Sequence, residues 1–502
     1  MPTTNPKTNT MARYKEYGYD IQNGKAIIPE WETEIKKEAF EDCKELTSVE
    51  FPQWIKKIGV GAFCGCYNLT EITLSEWVEE IGDCAFSGCE NLKSITLPRW
   101  LKKIGGSAFS GCKNLASISI PPSVAEIGNC AFGDPSSTTD MCGWAFSSCP
   151  NLTSISVSKD NKVYDSREDC NAIIHTESNT LIRGCKNTII PPSVTKIGYA
   201  AFSGCPSLTS IAIPPSVTEI GESAFSDCSN LTRISIPPSV TEIGNGAFCG
   251  CSSLTSITIP PSVKDIKGSE FYGTFRDCSS LTSITFPPSV TEIGHNAFYG
   301  CSSLTSISIP ASVTEIGAFA FSACFNLTSI TISKDNKVYD SREDCNAIIH
   351  TESNTLMYGC KKTIIPPSVR VIGDYAFLDC VNLTSIAIPP SVTEIGGYAF
   401  RGCSSLKSIA IPPSVTKIGY DAFSGCSSLT CISIPPSVTM IGGYAFSGCS
   451  SLTSISIPES VTEIWSSAFY GCSSLTEVRI PMGCNVHESA FDFSPNVQII
   501  RY

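Results

Sequence analysis

Leu429 to Ser451 read LTCISIPPSVTMIGGYAFSGCSS, and this stretch sets the period of the chain. In L-T-C-I-S-I the two isoleucines alternate with small residues, the pattern of a strand buried on one face. Pro435 and Pro436 end that strand, because proline has no N–H to give to a ladder. V-T-M-I alternates again, which predicts a second short extended segment. Gly442 after Ile441 marks a turn. A-F-S-G-C then predicts one helical or 3₁₀ turn closing a coil whose Leu, Ile, Ile, Val, Ile, Ala, Phe and Cys point inward.

Outward from this stretch the Ala-Phe pair keeps a 23-residue spacing. Its phenylalanine falls at 40, 63, 86, 109 and 132, at 202, 225 and 248, at 298 and 321, and at 377, 400, 423, 446 and 469. The general unit is L-x-x-I-x-I-P-P-S-V-T-E-I-G-x-x-A-F-S-G-C-S-S, from which Leu208 to Asn230 departs only at Asp227 and Asn230. One coil alone buries too little apolar surface to offset the entropy of ordering it. Stacked neighbours supply ladder hydrogen bonds and cover both open faces, so the unit requires an array. The expected organisation is a polar tail and cap over residues 1–24, then a single solenoid of about seventeen coils over 25–502.

The motif I-P-x-S-V-x-x-I-G-x-x-A-F-x-x-C, as at Ile213 to Cys228, resembles the BspA-like leucine-rich-repeat family. This is the 23-residue class of bacterial and protist surface proteins, and the resemblance runs from about Ile27 to Tyr502. It implies a repeat solenoid, a leucine-rich-repeat coil with a parallel β-sheet on one face. Short strands and 3₁₀ or helical turns would lie on the other. It further implies an elongated adhesion scaffold at the cell surface whose ligands are proteins, host or matrix proteins among them.

Composition narrows the function. Hydrophobic content of 42% and charged content of 16% describe a folded chain rather than a disordered one. A net charge of -12 provides no basic stripe for nucleic acid. No run of 18 apolar residues exists to span a membrane. Met1 to Lys25 is polar and lacks the apolar core of a secretory signal, so a cytoplasmic structural or assembly spacer is the alternative to a surface scaffold. The N-L-T sequons at Asn68, Asn151, Asn230, Asn326 and Asn382 would separate the two if they carried glycans.

The period breaks in a few places. Residues 133–144 read as a loop insertion, and Lys267 to Gly273 carries extra residues. Ser158 to Leu181 and Ser333 to Leu356 are the same sequence twice, and A-I-I-H-T-E-S-N-T-L within them is a hairpin signal. These insertions, near 158–190 and 333–365, read either as enlarged coils or as a pair of matching docking knobs.

No residue constellation points to catalysis. Most of the 27 cysteines repeat at one inward coil position, which reads as a column of small buried free thiols. The histidines show no metal-ligand spacing, no phosphate loop or nucleophile elbow occurs, and neither a cofactor nor an enzyme is expected. Three surfaces are candidates for binding instead. The outward residues of the first strand, Ser210, Arg233 and Ser256 among them, form a small polar stripe suited to weak repeated contacts or to no contact at all. Glu219, Glu242, Asp265, Glu292 and Glu315 stack as an acidic ladder, a solvated face or a weak site for divalent cations or a basic partner. Trp31, Trp54, Trp77 and Trp100 recur at the coil spacing, either packed as a cap or exposed as a protein-docking column.

Overall fold

The computed structural model describes residues 13–128 and 149–502, so the loop expected at 133–144 lies outside the described residues. The chain divides into two compact units, residues 1–239 and 240–502, both built from the same coil. In the second unit, Ser256–Thr258, Ser283–Thr285, Ser306–Ile309 and Ser329–Ile332 pair as one parallel sheet. Ile257 faces Ile284 and Ile307 faces Ile330, with the isoleucines buried and the alternate serines and threonines turned outward. V-T-E-I supplies a second ladder, Asp265–Ile266, Glu292–Ile293 and Glu315–Ile316. It recurs later as Val371–Ile372, Glu394–Ile395, Lys417–Ile418, Met440–Ile441 and Glu463–Ile464. The first unit repeats the plan, with Ser48–Glu50 beside Glu71–Thr73 on one face and Glu34–Ile35 through Glu126–Ile127 on the other.

The repeated polar residues tie one coil to the next. Thr305 Oγ1 donates to the Thr282 carbonyl at 3.3 Å and Thr314 Oγ1 to that of Thr291 at 3.4 Å. In most coils the cysteine is buried and its thiol donates to a phenylalanine carbonyl in the preceding coil, as Cys66 does to Phe40 at 2.9 Å and Cys426 to Phe400 at 3.2 Å, whereas Cys380 reaches the Gly359 carbonyl at 3.8 Å. All described cysteines are free. The phenylalanines form the spine: from Phe377 to Phe491 successive rings stack with centroids 5.0–5.5 Å apart. Glycine after isoleucine lets backbone lie on backbone. A Cβ on Gly419 would sit 2.5 Å from Gly396 C and Gly397 N.

The A-F-x-G-C segment closes by single i→i+3 turns, Cys64 N–H donating to Gly61 O at 3.0 Å and Cys66 N–H to Phe63 O at 3.2 Å, and does not run on into a continuous helix. The residue before alanine and the glycine before cysteine are left-handed, as at Gly61 (φ 61°) and Gly65 (φ 72°). Those reversals flatten the chain and aim its amides along the stack. The alternate amides bond to the next coil: Phe63 N–H donates to Ala85 O and Gly65 N–H to Ser87 O, at 2.8 and 2.7 Å.

Each duplicated insertion enlarges one coil and stays within the ladders. Ala172–His175 and Thr180–Gly184 form the hairpin, with Tyr164–Asp165 as a third strand. Thr180–Gly184 then pairs in parallel with Lys196–Ile197, returning the chain to the second ladder. Asn161 Nδ2 donates to the Pro121 and Val124 carbonyls at 2.9 Å, and the Tyr164 hydroxyl accepts the Ile127 N–H at 3.2 Å. Asn336 and Tyr339 repeat these bonds in the second copy. At the start of the first unit, Tyr14 and Tyr19 stack on Phe40 and close the exposed end of the core.

Candidate binding surfaces

The four tryptophans stand in solvent. Trp31, Trp54, Trp77 and Trp100 are 74%, 54%, 47% and 55% exposed, so they are an outward column and not a packed cap. They occupy the coil position held elsewhere by serine. That serine donates between coils: Ser123 to Leu101 O and Ser216 to Val194 O at 2.7 Å, and Ser414 to Val392 O at 2.6 Å. Each tryptophan therefore replaces a residue that elsewhere forms an inter-coil hydrogen bond, worth about 1 kcal/mol. Arg99 lies over Trp100 at 5.7 Å. Large exposed aromatics beside arginine have the chemistry that concentrates binding energy in protein interfaces.

The acidic ladder is more compensated than its sequence suggests. Lys196 pairs with Glu219 at 2.7 Å in the first unit, and Lys267 pairs with Glu242 in the second. Lys267 belongs to the extra residues that break the period, which is why the repeat pattern did not show it. Asp265, Glu292 and Glu315 remain side by side in register. Partial burial, then the charges of Glu315 and Asp265, raise the Glu292 carboxyl above its ordinary value, and His295 opposes this. These carboxylates project in parallel, and among the described residues no three His, Cys, Asp or Glu side chains gather as a metal would require. The stripe residues Ser210, Arg233 and Ser256 are all exposed, on a face of small polar side chains.

A second aromatic column, which the sequence reading did not single out, crosses the second unit. The centroids of Phe319 and Tyr375 are 4.2 Å apart, those of Tyr375 and Tyr398 5.0 Å, those of Tyr398 and Tyr420 5.5 Å, and those of Tyr420 and Tyr444 5.4 Å. Phe319, Tyr375, Tyr398 and Tyr444 all sit in the left-handed slot before alanine, with φ between 56° and 62°. Asn296, Ser223 and Asp421 hold the same slot in other coils. A bulky side chain there costs roughly 1–2 kcal/mol relative to ordinary backbone, about what one ring stack returns. Arg276 lies over Tyr299 at 4.6 Å and Arg401 over Tyr398 at 5.4 Å. Together with Glu270, Asn296, Leu378 and Asp379 these residues frame a cleft of about 470 Å³.

A family model described as the BspA type leucine rich repeat region matches residues 19–139, 179–274, 272–345 and 370–498. The chain belongs to the BspA-type leucine-rich-repeat family. Among solved structures it is similar to a leucine rich cell surface protein from Faecalibacterium prausnitzii, at 31% identity and TM-score 0.50, covering 69% of this chain and 96% of that one. A leucine-rich repeat protein from Eubacterium ventriosum is 28% identical at TM-score 0.49, over 59% of this chain and 84% of that one. One from Bacteroides ovatus is 23% identical at TM-score 0.33, over 96% and 97%. No curated protein matches the chain.

In this BspA-type chain the consensus explains the core and the departures mark the surfaces. The tryptophans were legible because they replace serine in successive coils. Tyr375 and Tyr398 are also 23 residues apart, in a slot where most other coils, those of Phe319 and Tyr444 aside, carry small or turn-forming residues such as Ser223, Asn296 and Asp421. That spacing was the available signal. Phe319, however, meets Tyr375 only because the enlarged coil between them loops away, which no linear spacing reveals.

Proposed function

We propose that this BspA-type chain is a non-catalytic interaction scaffold that docks partner proteins on its tryptophan column, and that its setting is adhesion to host or matrix proteins at a cell surface. The observation that carries this is the exposure of Trp31, Trp54, Trp77 and Trp100 at a position where serine would have joined the coils. Water-exposed indole surface is retained at the expense of a structural hydrogen bond, which selection for folding alone would not favour. The description of the Faecalibacterium relative as a cell surface protein supports the setting. The test is binding of the whole chain to a panel of immobilised matrix proteins, repeated with all four tryptophans changed to serine. The scaffold reading expects capture by the native chain and loss of most of it in the variant. Equal capture by both would move the interface elsewhere, and removal of 158–181 together with 333–356 would then locate it on or off the insertions.

A further inference from the structure

We propose that the cleft framed by Tyr299, Phe319, Tyr375, Tyr398, Arg276 and Arg401 binds an acidic saccharide. The ligand class follows from what the walls offer. Phe319 ends the aromatic column, because Asn296 holds the slot one coil earlier, so its ring can offer the face on which the C–H side of a pyranose lies; Tyr375 and Tyr398 stack behind it and offer their edges. The rim carries planar polar groups that match the hydroxyl edge of the same ring. Carboxylates of Asp379 and Glu270 can accept from hydroxyls, and the two guanidinium groups can donate. Arg276 Nε donates to Asp277 at 3.2 Å and its Nη1 to the Phe271 carbonyl at 3.3 Å, so its plane is fixed. Arg401 is exposed, lies on Tyr398, and forms no ion pair among the described residues. A sugar carboxylate would meet it as a bidentate, charge-assisted partner. The floor is braced by Asn296, whose side-chain amide donates to the Ser269 and Glu270 carbonyls at 3.0 and 3.1 Å. The volume falls in the ~300–1,000 Å³ range of small-molecule sites.

Other ligand classes fit the walls less well. An apolar protein side chain would bury two carboxylates and two guanidinium groups without giving them partners. A nucleotide would bring a multiply charged phosphate beside Asp379 and Glu270 in a chain of net charge -12. One carboxylate per ring, with hydroxyls around it, meets both signs of charge present.

The fold itself does not demand these residues. The identical insertion of the first unit supplies the comparison, offset by 175 residues. There Ala200, Ser223 and Ser226 stand at the positions of Tyr375, Tyr398 and Arg401. The coils of Ala200 and Ser223 stack with a small residue in the slot, so Tyr375, Tyr398 and Arg401 answer something other than architecture; Trp144, at the position of Phe319, lies outside the described residues.

The test uses the whole chain, titrated calorimetrically with tetrasaccharides bearing glucuronate, galacturonate or sialic acid, and with a neutral N-acetylglucosamine tetrasaccharide. Two variants accompany it: Arg401→Gln, at an exposed side chain, and Tyr375→Asn with Tyr398→Asn, since asparagine suits the left-handed slot and preserves folding. The proposal expects saturable binding to at least one acidic tetrasaccharide, at least about tenfold tighter than to the neutral one. Arg401→Gln should erase that preference, and the double asparagine variant should lose binding while melting no lower than the native chain. Absence of binding to all three acidic sugars would overturn the proposal. So would variants that bind unchanged, or an acidic peptide or adenosine diphosphate that binds more tightly than every sugar.

Discussion

Removing one ring from the middle of the phenylalanine spine should open the solenoid locally rather than everywhere. Phe423 is fully buried, stacked on Phe400 at 5.3 Å and on Phe446 at 5.5 Å. Phe423→Ala leaves a cavity, for which ~3–5 kcal/mol is the usual cost, and breaks both stacks, which places it toward the upper end. Phe491 is only partly buried and stacks on Phe469 alone, so Phe491→Ala should cost about half as much. In a repeat array, stability is carried by each coil and its neighbour interfaces. The loss should therefore concentrate at the amides of Phe400, Phe423 and Phe446, which bond across coils at 2.8 Å. At ~1.4 kcal/mol per factor of ten, their hydrogen exchange should accelerate by about 10³-fold. The Phe275 amide, bonded to Ala297 in the same unit, should change little. Equal acceleration at Phe275 would show that the unit opens as one cooperative block and refute the nearest-neighbour reasoning. A cost for Phe423→Ala no larger than for Phe491→Ala would refute the role assigned to the stacked spine.

Three further outcomes are expected. Trp77→Ser should leave thermal stability unchanged or raise it by ~0.5–1 kcal/mol, because serine can bond to the preceding coil as Ser123 does; a clear drop in melting temperature would mean the indole is structural. Burial pushes the Cys426 and Cys472 thiols up to about 12 from an ordinary value near 9. Their folded value lies above the unfolded one, so their contribution to stability is full below pH 9 and is lost as pH rises toward 12. Urea midpoints should accordingly fall over that window, with a shallower slope in Cys426→Ala. Glu292 is also raised in the folded state, so its ionised form is disfavoured at neutral pH. Glu292→Gln should stabilise at pH 7 by under ~1 kcal/mol and give no gain near pH 4, where the native carboxyl is protonated; a gain equal at both pH values would exclude charge as the cause.

The core was legible because each inward position repeats every 23 residues, and a side chain that recurs in register must find its own copy one coil away. Phe400, Phe423 and Phe446 illustrate this, as do Ile307 and Ile330. What was not legible depends on facts outside that recurrence. A-F-S-G-C reads as a turn, which alternate amides do close, but the bonds of Phe423 and Gly425 to the neighbouring coil depend on that coil's position and not on the segment's own sequence. The pattern showed the tryptophans recurring in one column but left open whether they pack as a cap or face solvent, and only a view of their neighbours could show that they are exposed. Glu242 looked uncompensated because its partner Lys267 comes from residues out of phase with the repeat. Phe319 and Tyr375 meet across an enlarged coil. The two aromatic columns thus share one property: each holds a residue that the coil position does not favour, tryptophan in place of a bridging serine, or tyrosine in a left-handed slot that suits asparagine. In an array this regular, a departure that folding does not need and that recurs in neighbouring coils is the strongest physical sign of a ligand.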